Sequence, residues 1–455
     1  MRKIKCTFFV IIIFIFAVLS CDKKNKNKEN SNHPYDIVNM CNSYIELKDG
    51  DSLHFSQTCV KITQNATIRL IGLIEFDNNH ILQIEKGATI LAATSIDSGI
   101  ALRPGAKILA YGTRKHPITF TSDQPVGNKQ PGDWGGIKIH GKAKGFTEGF
   151  PEGCGKRSIN RNFRANDSDN SGILQYVRIL FAGKEVVYDG SDPYCDAINL
   201  SGHGGLNLNN VGSQTVIEHI QLHNNYWDGI AIRGGTVNLK YIVSTLNVDD
   251  AFHASFGWRG KAQFLALASA ESTNTKSPLG SCNHAIEMYH SHVDSYLDLQ
   301  TSGSLYNVTA LTGNNCKSIR LRAGVSVEFK NLYSAFSNNS DKAPCIYTES
   351  SLTELQLDNS LLENCINPGY NTINESNVIS GLDVQVNEGI PEYINSLLYS
   401  SRDDLLFNGS KIFEPKILQQ GLTPPNDGFL DTSANHIGAI GEENWITDWT
   451  IFPGN

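Results

Sequence analysis

Residues 82–92 (LQIEKGATILA) and 100–110 (IALRPGAKILA) carry the same succession of apolar and polar positions, eighteen residues apart. Apolar side chains coincide at Leu82/Ile100, Ile84/Leu102, Ile90/Ile108 and Leu91/Leu109, and Gly87 falls on Gly105. Alternation on either side of a glycine turn predicts two short strands per unit. Residues 215–225 (TVIEHIQLHNN) realign with 236–246 (TVNLKYIVSTL) at a shift of 21, and 261–271 (KAQFLALASAE) continue at about the same step. Further on, 307–315 recur at 331–339 after 24 residues, with the pairs Asn314-Asn315 and Asn338-Asn339 in the same place.

A repeat near twenty residues, built of short β-branched strands with no helical period, predicts an all-β solenoid. Each coil would stack parallel on the last, with alternate apolar side chains forming ladders inside and asparagines stacking at equivalent turns. A leucine-rich repeat would need a recurring Leu/Asn consensus, which is absent. A β-sandwich would not give a constant offset between like segments.

Several stretches then resemble one family. They are PGAKILAYGTRKHPITFTSDQP (104–125), GDWGGIKIHGKA (132–143), DNSGILQYVRILFAG (169–183), the run at 207–241 and the end at 428–452. Together they are similar to bacterial exported proteins of the pectate-lyase-like superfamily. That resemblance implies a right-handed parallel β-helix and an exported lipoprotein context, and little about activity.

The N-terminus predicts the same address. Arg2, Lys3 and Lys5 precede an unbroken apolar run at 8–19. Such a helix rises about 18 Å, short of the ~30 Å hydrocarbon core, so residues 1–20 read as a signal peptide rather than a membrane span. Val18-Leu19-Ser20-Cys21 resembles a lipobox, which makes Cys21 the expected lipidation site. Residues 21–34 form a polar tether, 35–66 an N-terminal cap, 67–414 the β-helix with a loop insertion at 145–170, and 415–455 a C-terminal cap. The lipid would be the membrane attachment, in the outer membrane or at the cell surface. The basic residues of the insertion, Lys156, Arg157, Arg161 and Arg164, read as a solvated loop.

Composition narrows the function classes. The 455 residues are 40% hydrophobic and only 18% charged, which excludes a coiled coil and a disordered acidic chain. A net charge of -8 argues against a nucleic-acid partner. Beyond Cys6 and Cys21, eight cysteines remain, an even number suited to disulfides in an exported chain. Neighbour pairing is expected: Cys41–Cys59, Cys154–Cys195, Cys282–Cys316 and Cys345–Cys365. No two of them have C-x-x-C spacing, so a zinc–cysteine site is discounted.

Candidate chemistry lies where the repeat aligns acids. Asp228 stands 21 residues before Asp249, and Asp250 stands 21 before Glu271. On neighbouring coils about 4.8 Å apart these carboxylates would repel unless a cation lay between them. Ca2+ is the expected ion, held by Asp228, Asp249, Asp250 and Glu271. A calcium-assisted polysaccharide lyase or glycoside hydrolase would use Asp228, Asp249 and Asp250 with Arg259 as the base, and with Arg233 and Lys261 as other basic candidates. The bland reading is that these acids close turns, as Asp228-Gly229 suggests. Gly202-His203-Gly204 precedes the acids, which puts it in the wrong order for the fold's hydrolase motif. His284, Glu287, His290, His292 and Asp294 form a second cluster, with His290 and His292 on one strand face. The first expectation is therefore a ligand-binding lipoprotein taking a glycan or an extracellular or envelope protein. The alternatives are the enzyme and a structural envelope protein.

Overall fold

The computed structural model describes residues 40–54, 58–145, 165–184, 204–269, 284–290, 299–313, 318–322, 324–336, 345–349, 352–365, 369–370, 378–380, 384–387, 406 and 408–454. The chain divides into units Met1–Asn42 and Ser43–Asn455. Only residues 40–42 of the first are described, and the coil belongs to the second. The proposed signal peptide, Cys21 and the tether lie outside the described residues, as do Glu271, His292, Asp294 and most of the insertion.

Two sheets wind together. A major sheet has 18 strands and a minor sheet 10, and every strand pairing within them is parallel. The chain alternates between the sheets coil by coil, so like walls stack on like walls. This is a parallel β-helix, as the repeat predicts. Strands at Ile45–Leu47, Ser52–Leu53 and Cys59–Ile62 already pair with the coil above, so much of the expected N-terminal cap belongs to the helix itself.

The register corrects the spacing. Leu82 pairs with Ile108 across 26 residues, while Ile100 sits in the minor sheet between Ile74 and Ile137. The eighteen-residue similarity therefore matches two different walls of the coil. Val216 pairs with Asn238 and Ile230 with Phe252, a step of 22 rather than 21. The 24-residue step holds, with Tyr306 opposite Lys330 and Val308 opposite Leu332.

Inside, the alternation does what period-2 patterning requires. Ile137, Leu206, Ile230, Phe252, Ile286 and Ile319 form one continuous ladder with almost no exposure. Each such side chain contributes about 1.5–3 kcal/mol by leaving water. Asparagines stack as expected at one corner, where Asn225 Nδ2 donates to Asn247 Oδ1 on the next coil at 2.9 Å.

The major sheet changes character along the axis. In early coils two separate strands, Lys107–Tyr111 and Ile118–Ser122, both pair with the single strand Gly172–Leu180. From there the corner shrinks to one left-handed residue inside a long strand. Tyr176, His219, Tyr241, Phe264, Asn307 and Asn331 occupy it in successive coils, all with φ between 50° and 61°. Left-handed backbone is costly for aromatic residues, and ring stacking in the column offsets part of that cost.

The C-terminal segment, expected as a cap, does not sit at one end of the coil alone. It runs lengthwise over the major sheet, held by Asn331 Nδ2 to the Leu422 carbonyl, Asn307 Nδ2 to the Ala434 carbonyl and Gln221 to Ile451. Arg114 reaches it from an early coil through Glu443 and Asp448. Of the expected disulfides, Cys345–Cys365 is formed, with its Cα atoms 5.5 Å apart, and Cys41 and Cys59 are both disulfide-bonded. Cys154, Cys195, Cys282 and Cys316 lie outside the described residues.

Candidate functional site

The central strands of the minor sheet have four residues each, and the residue two positions before the strand closes the turn into it. Asp228 precedes Ile230–Arg233, Asp250 precedes Phe252–Ser255 and His284 precedes Ile286–Tyr289. The backbone N–H of Asp250 donates to Asp228 Oδ1 at 3.2 Å, and that of His284 donates to Asp250 Oδ1 at 2.8 Å. Each acid thus secures the turn of the next coil with one oxygen. Gly229 is required here, because a Cβ would stand 2.0 Å from Ser244 Oγ.

The second oxygen of each acid does something else. Asp228 Oδ2 lies 3.5 Å from His253 Nδ1, and Asp250 Oδ2 lies 3.8 Å from the same nitrogen. Glu287 sits beside His253 in register on the next strand and brings Oε2 to 3.5 Å. The far oxygen Oε1 of Glu287 accepts from Arg320 at 3.0 Å and from Arg322 at 3.4 Å. The far nitrogen Nε2 of His253 faces Ser255 Oγ at 3.3 Å. Asp228, Asp250, His253, His284 and Glu287 are all more than nine-tenths buried.

Burial sets the charges. It raises the Asp228 carboxyl well above its ordinary range, helped by the Asp249 and Asp250 charges. Half-buried Asp249 is pushed up to about 8 by the same desolvation and by Asp250 and Glu287. Burial acts on Asp250 in the same direction, but the charge of His284 and hydrogen bonds from His253 and His284 hold it well below. Its bond to His284 Nδ1, 2.8 Å long, in turn raises that imidazole against the pull of burial.

Three carboxylate oxygens, each anchored through its other end, approach one nitrogen, and Asp228, Asp250 and His253 bring ligand atoms within 4.8 Å of one another, a donor set suited to a cation. Bonds of about 2.0–2.2 Å to zinc in a tetrahedron put ligand atoms about 3.3–3.6 Å apart. Two of the three measured separations from His253 Nδ1 fall in that range, and the third, to Asp250 Oδ2, is 3.8 Å. Asp250, His284 and Glu287 form an overlapping group. Imidazole nitrogen among the donors favours a first-row transition ion over Ca2+, which takes oxygen.

The acids expected from the sequence are only partly brought together. The step of 22 sets Asp228 beside Asp250, while Asp249 places its backbone N–H against the Trp227 carbonyl. His284 and Glu287, first grouped with His290, belong to this site. His290 Nδ1 instead accepts the Thr301 N–H. Arg259 does not join the acids; its guanidinium bonds the Lys144 carbonyl and Asp167. Lys261 pairs with Asp427. His253 carries the arrangement and was missed. Its only signal is the spacing Asp250-x-x-His253 at the start of a strand.

The same outer face continues through Asn207 and Lys138, in register with His253 by way of Ala231. Asn207 Oδ1, Asn209 Oδ1 and His140 Nε2 are buried there without a hydrogen-bond partner among the described residues. Burial and the nearby Lys138, Arg103 and Arg233 charges push His140 down to about 3, so it is neutral.

No curated protein and no solved structure matches the chain. A family model described as a pectate-lyase-like β-helix domain matches residues 54–379, most of the sequence, in agreement with the parallel coil. The chain therefore belongs to the pectate-lyase-like β-helix domain family.

Proposed function

We propose that the protein is a glycan-binding β-helix, held at the bacterial cell envelope by a lipid on Cys21, with a divalent transition ion in the Asp228–Asp250–His253–Glu287 cluster. The observation that carries the reading is the convergence of three anchored carboxylates on His253 Nδ1 at 3.5, 3.8 and 3.5 Å. Bound, the ion would supply Lewis acidity toward sugar oxygens. Around it, the unpartnered oxygens of Asn207 and Asn209 call for hydroxyl donors, which a glycan brings. Arg320 and Arg322 hold Glu287 in place, and Ser255 fixes the ring of His253.

A lyase reading loses support, because Arg259 and Lys261 are engaged elsewhere. Metal analysis of protein purified without chelator is the test. Wild type should hold about one zinc, manganese or iron per chain, and His253→Ala and Asp250→Asn should hold none. Equal metal content in wild type and His253→Ala would overturn the site. A glycan array with and without chelator then reads the ligand. Reducing-sugar release on the same polysaccharides would replace binding with hydrolysis.

A further inference from the structure

Successive coils place the polar groups of the minor sheet on a regular grid. The corner column, two residues before each strand, reads Asp228, Asp250, His284. The second residue of each strand, which faces outward, reads Ala231, His253, Glu287 in register. The ion proposed above sits at the first step of this grid, where Asp228 and Asp250 face His253. One coil further the arrangement recurs with the residue types exchanged, and an acid and an imidazole in the corner meet an imidazole and an acid on the face. There, ligand atoms of Asp250, His284 and Glu287 all come within 4.8 Å of one another. All three residues are less than one-tenth exposed, so this is no solvated acidic patch.

Asp250 belongs to both steps, and its two oxygens turn to different imidazoles. Oδ2 lies 3.8 Å from His253 Nδ1, and Oδ1 lies 2.8 Å from His284 Nδ1. Oδ1 also accepts the backbone N–H of His284 at 2.8 Å, which fixes the carboxylate. A carboxylate that spans two imidazoles with opposite oxygens is the bridge of a two-metal site, where ions lie about 3.5–4 Å apart. The coil step of about 4.8 Å sets the two donor groups near that separation. Donors at right angles on bonds of about 2.0–2.1 Å stand about 2.8–3.0 Å apart, and Asp250 Oδ1 with His284 Nδ1 meets that spacing. Nitrogen among the donors again selects a transition ion over Ca2+.

We infer that Asp250, His284 and Glu287 hold a second divalent transition ion, zinc or manganese, bridged to the first through the Asp250 carboxylate. The inference rests on the first ion site, since Asp250 and Glu287 serve both. The second ion is the weaker one, because it must replace the proton that lies between His284 Nδ1 and Asp250 Oδ1. The purified protein therefore carries one ion, and the second enters on addition.

Zn2+ titration of the mature full-length protein, followed by equilibrium dialysis and metal analysis, tests the count. Wild type should bind a second equivalent at a free-ion concentration tenfold or more above the first. His284→Ala should keep the first equivalent and lose the second. With Mn2+, the second equivalent in wild type should convert the electron paramagnetic resonance spectrum to that of a spin-coupled pair. Should His284→Ala not fold, the wild-type spectra at one and two equivalents give the same reading. Saturation at one equivalent, two uncoupled ions, or an undiminished second equivalent in His284→Ala would each overturn the proposal. Wild type that stops at one ion, lost in His253→Ala, fails this inference alone, whereas wild type that takes no ion fails the first site as well.

Discussion

The two sheets solve the same stacking problem with opposite chemistry. On the minor sheet, successive coils bring Asp228, Asp250 and His284 to one corner, so repetition concentrates charge where water is excluded. On the major sheet, the repeated corner holds Tyr176, His219, Tyr241 and Phe264, which stack as neutral rings. A stack of identical corners multiplies whatever residue is placed there. Charge must then be balanced by imidazoles, arginines or an ion, whereas flat rings reinforce each other directly.

The contrast can be broken most sharply at Glu287. Glu287→Ala would take the carboxylate away from buried His253 and from half-buried Arg320 and Arg322, which keep Glu349, and a loss of about 3 kcal/mol in urea unfolding is expected. Glu287→Gln, which keeps the volume, should still lose metal. Tyr241→Ala should cost less, about 2 kcal/mol, because the ring is half-buried and its neighbours can close in. Tyr241→Phe should be nearly neutral by the same measurement, as the stack survives.

The smallest effect is a pH dependence confined to the ring column. Burial, with Arg114 nearby, pushes His219 down to about 4. A lowered folded value means that the unfolded chain takes up the proton first. The contribution is therefore complete above about 6.5 and fades as the pH falls toward 4, by about 1–2 kcal/mol after allowance for solvent screening. Melting followed from pH 7 to 4 should show His219→Phe losing less than wild type. An identical slope in both would rule out His219 as the source.

Much of this was legible beforehand, and the misses have definite causes. Alternation at 82–92 and the Asn307/Asn331 step predicted parallel coils because both are local or evenly spaced. The pairing of Asp228 with Asp249 failed by one residue. Since strand side chains alternate, a slip of one changes which group faces the site. His284 was assigned to another cluster because its coil is longer: Phe252 to Ile286 is 34 residues, against 22 for Ile230 to Phe252. Neither insertion length nor its effect on register shows in composition or periodicity.

By itself the sequence determined the coil. Period-2 patterning, turn residues and a recurring interval act through backbone geometry, which any stretch of the chain carries locally. Only the tertiary structure decided which polar groups meet. The closeness of His253 to three carboxylates, and the meeting of the ring column with the returning C-terminal segment around one cavity, depend on exact register and on contacts hundreds of residues apart. Long-range electrostatics and packing, which no short window contains, set both.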